Sequence, residues 1–267
     1  MRLLADKMLA ILRRDLLLSL RYGRGIWLLS ITLLLEIAGF AFLAKAIGPV
    51  FRPEGLDYFQ FLVAGTGMFG FFVACMNSVV GELREAQISG ALEVLAASGT
   101  TPTVYLGLSS LSTVLRECLQ LVAYLAIGFA LAVRVQATVH WSAMPVVLAL
   151  SIMMAVGMCF LAAAAQVVLQ KGGALVWLFG SVAWLFAGTM FSVESLPPWL
   201  QVIARYFPVR YALDAIRAAL LKGAGWSELL RPMAWFALGA FALLLIGAGM
   251  FSLSVRHAQR RGSLSFY

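Results

Sequence analysis

The sequence predicts an all-α integral membrane protein with six transmembrane helices. Of its 267 residues, 62% are hydrophobic and only 12% are charged, and the mean hydropathy is +0.93. Soluble domains have about twice that charged fraction. Apolar runs close to the ~20 residues that cross a bilayer recur along the chain. These runs are continuous rather than alternating, which favours helices over a β-barrel.

Residues 1–25 are predicted to form an amphipathic helix in the cytoplasmic interface. Its apolar residues recur at helical spacing and its basic residues cover other faces: Leu3, Leu4, Met8, Ile11, Leu12, Leu16 and Leu20, with Arg2, Lys7, Arg13, Arg14 and Arg21. Lysine and arginine near anionic headgroups favour this position. The pattern fits a helix that only anchors the chain at the membrane surface as well as it fits a helix that moves during function.

A transmembrane domain is expected over residues 26–255, followed by a cytoplasmic tail over residues 256–267. The six predicted spans are Ile26–Ile47, Phe59–Val80, Tyr105–Val133, Met144–Leu169, Ala174–Phe191 and Pro232–Val255. Six spans place both termini on one side, and the basic chain ends assign that side to the cytoplasm. We therefore expect a multi-pass membrane protein with both termini in the cytoplasm. The net charge of +8 then reflects topology rather than nucleic-acid binding.

The stretch from Gly81 to Thr103 is the longest polar interruption in the first two-thirds of the chain, and we name it the coupling segment. It contains Glu82, Arg84, Glu85, Gly90 and Glu93, followed on one helical face by Ile88, Leu92 and Leu95. A membrane protein that keeps such a helix between two spans usually presents it to a soluble partner. The alternative is an ordinary solvated loop.

Three charged residues fall deep inside predicted spans, far from the span ends. Glu36 and Arg116 lie at a similar depth, on the order of 15 Å from the membrane surface, and Glu117 is adjacent to Arg116. Charges at that depth are costly and usually paired. The sequence suggests a Glu36–Arg116 ion pair, and it leaves open either snorkelling of Arg116 or Glu117 as the partner.

Aromatic residues form a stripe along the predicted fifth span. Trp177, Trp184 and Phe191 are seven residues apart and so share one helical face, while Phe179 and Phe186 form a second stripe. With Phe69 and Phe72 of the second span, the first stripe is a candidate for a substrate path or a dimer interface. The simpler reading is contact with lipid.

Residues 192–231 are too polar to span the membrane directly yet show apolar residues at helical spacing. Pro197 and Pro198 suit a helix start, and Pro208 interrupts the run. We expect two short re-entrant helices on the external side, a geometry that is tolerated only where the backbone is buried or lines a cavity. The candidate external-gate residues are Pro197, Pro198, Trp199, Tyr211 and Asp214.

Other motifs predict little chemistry. Cys75, Cys118 and Cys159 lie in apolar stretches, which indicates free thiols. The GxGxxG match at Gly65 lacks a βαβ setting, so close helix packing explains it better. With only His140 and His257, the sequence gives little support for a metal site or for an intramembrane enzyme.

Two motifs resemble the ABC type-2 exporter permeases, and the similarity covers nearly the whole chain. One is Glu82-Leu83-Arg84-Glu85 with Gly90-Ala91-Leu92-Glu93-Val94-Leu95, and the other is Leu196-Pro197-Pro198-Trp199-Leu200 with the stretch from Tyr206 to Arg217. The chain departs from the family pattern after Ser98, where Gly99 stands in place of a proline and Pro102 follows later.

The resemblance implies a permease subunit that pairs with a second copy and docks two ABC ATP-binding subunits. The GxxxxGK[ST] phosphate loop does not occur in these 267 residues, so ATP and Mg²⁺ are expected on the partner and no cofactor on this chain. Few intramembrane charges and many aromatics suit an amphiphilic, lipid-linked or glycan substrate. An ion- or proton-coupled carrier or channel that uses Glu36, Arg116 and Glu117 is the alternative.

Overall fold

The computed structural model describes residues 23–48, 50–90, 102–132, 140–223 and 225–261, and all regular structure in these ranges is helical. The α-helices there are α1 Gly23–Ile47, α2 Tyr58–Ile88, α3 Pro102–Ala130, α4 Met144–Leu169, α5 Gly172–Phe186, α6 Pro198–Arg205, α7 Pro208–Arg217 and α8 Trp226–Arg261. Short 3₁₀ turns lie at Pro53–Gly55 and Val193–Ser195, and a π turn at Ala218–Lys222 continues α7.

Four helical stretches of the described chain are long and apolar enough to cross a membrane. They are Tyr58–Ile88, Ser109–Ala130, Met144–Leu169 and Trp226–Arg260. Helix α5 has 15 residues and is apolar but shorter, about 22 Å against a hydrocarbon core of ~30 Å. The all-helical membrane architecture is therefore confirmed, and the count of six spans stays a prediction.

Several boundaries differ from those predicted. Helix α2 continues past Val80 to Ile88, because its polar end forms hydrogen bonds to neighbouring helices. Helix α5 ends at Phe186, five residues before the predicted end of the fifth span. Residues 23–25, predicted to belong to the interfacial helix, are the first residues of α1. The predicted amphipathic helix otherwise lies outside the described residues.

Local sequence explains several helix ends. Proline occupies an early position in α4, α6 and α7, where its missing N–H costs no hydrogen bond. The two short helices predicted around Pro198 and Pro208 are confirmed. Gly90 follows the end of α2 with φ of 69°, a left-handed conformation that glycine adopts without strain. The chain therefore turns sharply after α2.

The core is built around α2 and the α4–α8 pair. Helix α2 is the most buried of the four candidate spans, with 72% of its apolar window inside the protein. Helices α4 and α8 pack backbone against backbone at Gly157 and Gly247. A Cβ on Gly157 would lie 2.6 Å from the Leu244 nitrogen, and one on Gly247 would collide with the Gly157 carbonyl. Small residues permit this approach in a membrane protein.

Polar contacts join the helices at opposite ends of the bundle. One end, named the Gln87 end, contains the end of α2 at residue 88, the start of α3 at 102, the end of α4 at 169, the start of α5 at 172 and the end of α8 at 261. The other end, named the cap, holds the turns between helices together with α6 and α7. In the cap, Lys222 forms an ion pair with Glu54 at 2.8 Å, and the His140 N–H donates to the Ala219 carbonyl at 2.9 Å.

Replacement of Gly247 by alanine should destabilise the protein by about 1–3 kcal/mol, because the added methyl meets a backbone carbonyl that cannot rotate away. The matched control is Gly249→Ala on the same helix, where a Cβ has nothing within 4 Å. Thermal unfolding in lipid nanodiscs measures both. A lower Tm for the first variant alone is expected, and equal values would contradict the packing described here.

Candidate functional site

The coupling segment begins as the last turns of α2 rather than as a separate helix. The Glu82 carboxylate faces α3, where it accepts hydrogen bonds from Ser109 Oγ at 2.6 Å and from Thr113 Oγ1 at 2.8 Å. Arg84 and Glu85 are exposed at the helix end. Of the predicted coupling residues in the described chain, these two charged side chains are therefore the exposed ones. Leu92, Glu93 and Leu95 lie outside the described residues.

A buried amide network joins three helices beside the coupling segment. Gln166 of α4 donates to the Gln87 side-chain oxygen at 2.9 Å, and its own oxygen accepts the Gly172 N–H at 2.7 Å. Both glutamines are 1% exposed. Buried polar groups need such partners, so the network fixes α2 against α4 and the start of α5. Sequence analysis missed it, because Gln87 is one of several polar residues in the coupling segment and Gln166 is a single polar residue in an apolar run, so neither signals the other as a partner.

Arg116 pairs with Glu117 instead of Glu36. Its Nη2 lies 3.1 Å from Glu117 Oε1, and the same oxygen accepts a hydrogen bond from Ser78 of α2 at 3.2 Å. Neighbouring charges on α3 can meet because the arginine side chain is long and 44% exposed. Of the alternatives that the sequence leaves open, the structure therefore contains the Arg116–Glu117 pair.

Glu36 and Glu117 line one cavity of about 170 Å³ between α1, α2 and α3, whose wall is mostly apolar. The cavity wall also includes Gln120, Thr66 and Tyr124, and the last two form a hydrogen bond at 3.1 Å. The cavity lies beside the middle of the predicted spans. Glu36 and Glu117 thus share one cavity even though Glu36 and Arg116 do not pair.

The aromatic stripe lies in an open groove between α2 and α5. The groove has a volume of about 610 Å³ and is lined by Phe69, Val73, Asn77, Gly173, Val176, Trp177, Gly180, Ser181 and Trp184. Trp177 is the most open of its aromatics, with 74% of its surface exposed. A mostly apolar wall with a few polar groups suits the apolar part of a ligand.

Two predicted members of the aromatic set lie elsewhere. Phe72 is 1% exposed within the core, because it projects from the buried side of α2. Phe191 follows the end of α5 instead of extending its helical face, and its ring meets Trp184 edge to face at 6.5 Å. The second stripe, Phe179 and Phe186, packs against Phe207 between α6 and α7.

Three of the predicted external-gate residues are exposed at the surface, and the other two form contacts with neighbouring residues. Pro197, Pro198 and Trp199 are exposed at the start of α6. Tyr211 links the two short helices by donating its hydroxyl to the Arg205 carbonyl at 2.7 Å, and Asp214 pairs with Arg210 at 3.3 Å. Burial raises the pKa of Asp214, and Arg210 beside it acts in the opposite direction.

Arg217 at the end of α7 is the largest fully buried side chain of the described chain, and it clamps α7 to two other segments. Its Nη2 donates to the carbonyls of Gly188 at 2.8 Å, Thr189 at 3.1 Å and Phe61 at 3.4 Å. The guanidinium also lies 3.5 Å above the Phe61 ring, a cation–π geometry. We name this set the Arg217 clamp.

The Arg217 side chain stays positively charged although it is buried. Burial lowers the pKa of Arg217 to about 10, and the carboxylates of Glu54 and Asp214 oppose that shift, so the side chain remains cationic at neutral pH. Its Nε has no hydrogen-bond acceptor among the described residues. The sequence contained a signal for the clamp, since Arg217 follows Leu213 by four residues and so falls on the apolar face of α7.

Two glycines of the GxGxxG match allow close contacts, Gly65 with the Arg217 clamp and Gly67 with Tyr124 of α3. A Cβ on Gly65 would collide with the Arg217 guanidinium and lie 2.7 Å from the Thr189 carbonyl. A Cβ on Gly67 would lie 2.8 Å from the Tyr124 ring of α3, whereas one on Gly70 has nothing within 4 Å. Close approach therefore explains the first two glycines of the GxGxxG match.

These features define a polytopic helical membrane protein with a lateral apolar groove, a polar helix end and a clamped cap. The model of the ABC-2 family transporter protein matches residues 26–249. The chain therefore belongs to this family of membrane permeases of ABC transporters, as the resemblance predicted, and membership implies an ABC ATP-binding partner. No curated protein matches the chain.

Alanine at Gly65 should displace Arg217 from its three carbonyls and destabilise the cap, since each buried acceptor left without a donor costs about 1–3 kcal/mol. Gly70→Ala in the same helix is the control with open space at its Cβ. Thermal unfolding and limited proteolysis of residues 186–208 measure the effect. Equal Tm values and equal cleavage for the two variants would show that the clamp contributes nothing.

Proposed function

We propose that the chain is the membrane-spanning permease subunit of an ATP-driven exporter. Two copies form the translocation path, and each docks a separate ABC ATP-binding subunit through the coupling segment. The chain itself is not an enzyme, because ATP and Mg²⁺ bind to the partner. Both termini face the cytoplasm of a bacterial cell, and the protein lies in its inner membrane.

The observation that supports this proposal best is the continuity of α2. The helix runs without interruption from the Arg217 clamp near Phe61 to the exposed Arg84 and Glu85. At 1.5 Å per residue its 31 residues extend over about 46 Å. Movement of a motor at one end of a single helix therefore reaches the cap at the other end.

The contacts of Glu82 and Gln87 explain how one helix end moves several helices. Glu82 bonds α2 to α3, and Gln87 bonds it to α4 and the start of α5. A partner that pushes on Arg84 or Glu85 thus displaces a connected unit. Such shifts of packed helices are a common way to open and close a path.

The groove between α2 and α5 is the proposed path or dimer surface. It lies directly beside the connected unit, and its start includes Gly173, next to the residue that Gln166 holds. Aromatic residues with the polar Asn77 suit a ligand that has apolar and polar parts. We therefore propose an amphiphilic, lipid-linked or glycan-bearing substrate.

Charge reversal at Glu85 should uncouple the motor, because this exposed carboxylate is placed to contact the partner. We expect Glu85→Lys to lower substrate-stimulated ATP hydrolysis by about tenfold or more, since loss of ~1.4 kcal/mol at an interface has that effect. The measurement uses proteoliposomes that contain the chain and its ATP-binding subunit.

The matched control is Glu228→Lys, which reverses an exposed carboxylate at the cap end of α8. This variant should hydrolyse ATP as the unaltered chain does, and both variants should insert equally well. If Glu85→Lys couples normally, the exposed end of α2 is not the docking point, and the proposed role of the coupling segment fails.

The cavity lined by Glu36 and Glu117 favours a second candidate, an ion- or proton-coupled carrier or channel. Ionisable side chains beside one cavity within the predicted spans are a feature of proton relays. The two functions differ in their energy source. Transport that continues in vesicles without the ATP-binding subunit, and stops when the proton gradient is dissipated, would favour the carrier and contradict the exporter.

Truncation of the groove aromatics should impair substrate handling. The double variant Trp177→Ala/Trp184→Ala removes the two tryptophans of α5, and we expect an increase of about tenfold in the substrate concentration that half-stimulates ATPase activity. Trp235→Ala on α8, exposed by 52% and outside the groove, is the control. Unchanged stimulation together with loss of dimers in nanodiscs would assign the groove to the dimer interface instead.

A further inference from the structure

A second groove, of about 500 Å³, lies at the Gln87 end of the bundle and combines apolar with basic residues. It is lined by Val168 of α4 and by Leu253, Ser254, Arg256, His257 and Arg260 of α8. We propose that this groove binds the phosphate headgroup of an anionic glycerophospholipid. None of these lining residues belongs to the coupling segment or lines the aromatic groove.

The order of residues along α8 matches the order of groups in a phospholipid. Leu253 and Val168 are 66% and 53% exposed, so they offer an apolar surface to an acyl chain. Arg256 and Arg260 follow Leu253 after one and two turns on the same face, beyond the apolar stretch of the helix. The two arginines therefore lie just beyond the apolar stretch of α8, where the lipid headgroups are expected to begin.

The arginines of the groove have no acidic partner among the described residues. Neither Arg256 nor Arg260 makes an ion pair among the residues that the structure describes. Helix α4 contains no Asp or Glu, and Glu228 at the far end of α8 is the last acidic residue of the sequence. The two helices that form the groove thus supply only positive charge at this end, which is complementary to a phosphodiester.

Guanidinium groups suit this ligand chemically. Each presents several N–H donors in a fixed plane and binds phosphate oxygens with two parallel hydrogen bonds. The hydroxyl of Ser254 adds a neutral donor in the same groove. A zwitterionic lipid brings its own positive charge to the site, so the groove should prefer lipids with a net negative headgroup.

Native mass spectrometry of the purified full chain tests the proposal. The chain is titrated in detergent with dioleoylphosphatidylglycerol or with dioleoylphosphatidylcholine. We expect the anionic lipid to bind about tenfold or more tightly, since two cations near a phosphate give about this preference. Arg256→Gln/Arg260→Gln should lose the preference, and Arg231→Gln, an exposed arginine at the opposite end of α8, should keep it.

Three further measurements make the result decisive. Arg256→Lys/Arg260→Lys retains the charge and should retain most of the preference, which separates lipid binding from a folding defect. Inorganic phosphate at millimolar concentration should not displace the lipid, because it lacks the acyl chain that Leu253 contacts. Equal binding of the anionic lipid to the unaltered chain and the glutamine variant overturns the proposal. Loss of the ATP-binding subunit from that variant, with no lipid preference in the unaltered chain, also overturns it and assigns the groove to a protein partner.

Discussion

The buried guanidinium of Arg217 is the interaction on which the arrangement of the cap depends. A charge removed from water is costly unless several groups solvate it. Here two of the acceptors, Gly188 and Thr189, follow directly on the end of α5, where helix carbonyls lack intrahelical partners and the helix dipole favours a cation. The third acceptor and the ring of Phe61 belong to α2. One side chain therefore satisfies a helix end and fixes α5 and α7 to α2.

The bundle is held by different forces at its ends and in its middle. In lipid the hydrophobic effect does not drive helices together, so packing of small residues and interhelical hydrogen bonds must do so. Gly157 and Gly247 bring α4 and α8 into backbone contact in the middle. Glu82 and Gln87 bond α2 to its neighbours at one end, and Arg217 does so at the other. Helix α2 takes part in both polar sites.

The sequence predicts what depends on local pattern and misses what depends on distant partners. Helix class, family and the two helices begun by Pro198 and Pro208 follow from composition, motif and proline chemistry. The predicted second span ends at Val80 because Glu82, in the sequence alone, looks like a solvent-facing charge. In the structure, Ser109 and Thr113 of α3 donate hydrogen bonds to Glu82, and α2 continues to Ile88. The sevenfold spacing of Phe191 predicted a shared helix face, but α5 ends at Phe186, where Gly188 adopts a φ of 72°.

The short α5 is the element through which the two polar sites meet. Its first residue, Gly172, is held by Gln166, and the carbonyls beyond its last turn are held by Arg217. Between these points Trp177 is 74% and Trp184 40% exposed, and both line the groove. Because Gln166 also bonds Gln87, a change in the angle between α2 and α4 moves the start of α5, whereas the clamp restrains its end. A helix restrained at one end and displaced at the other must tilt, and that tilt changes the width of the groove.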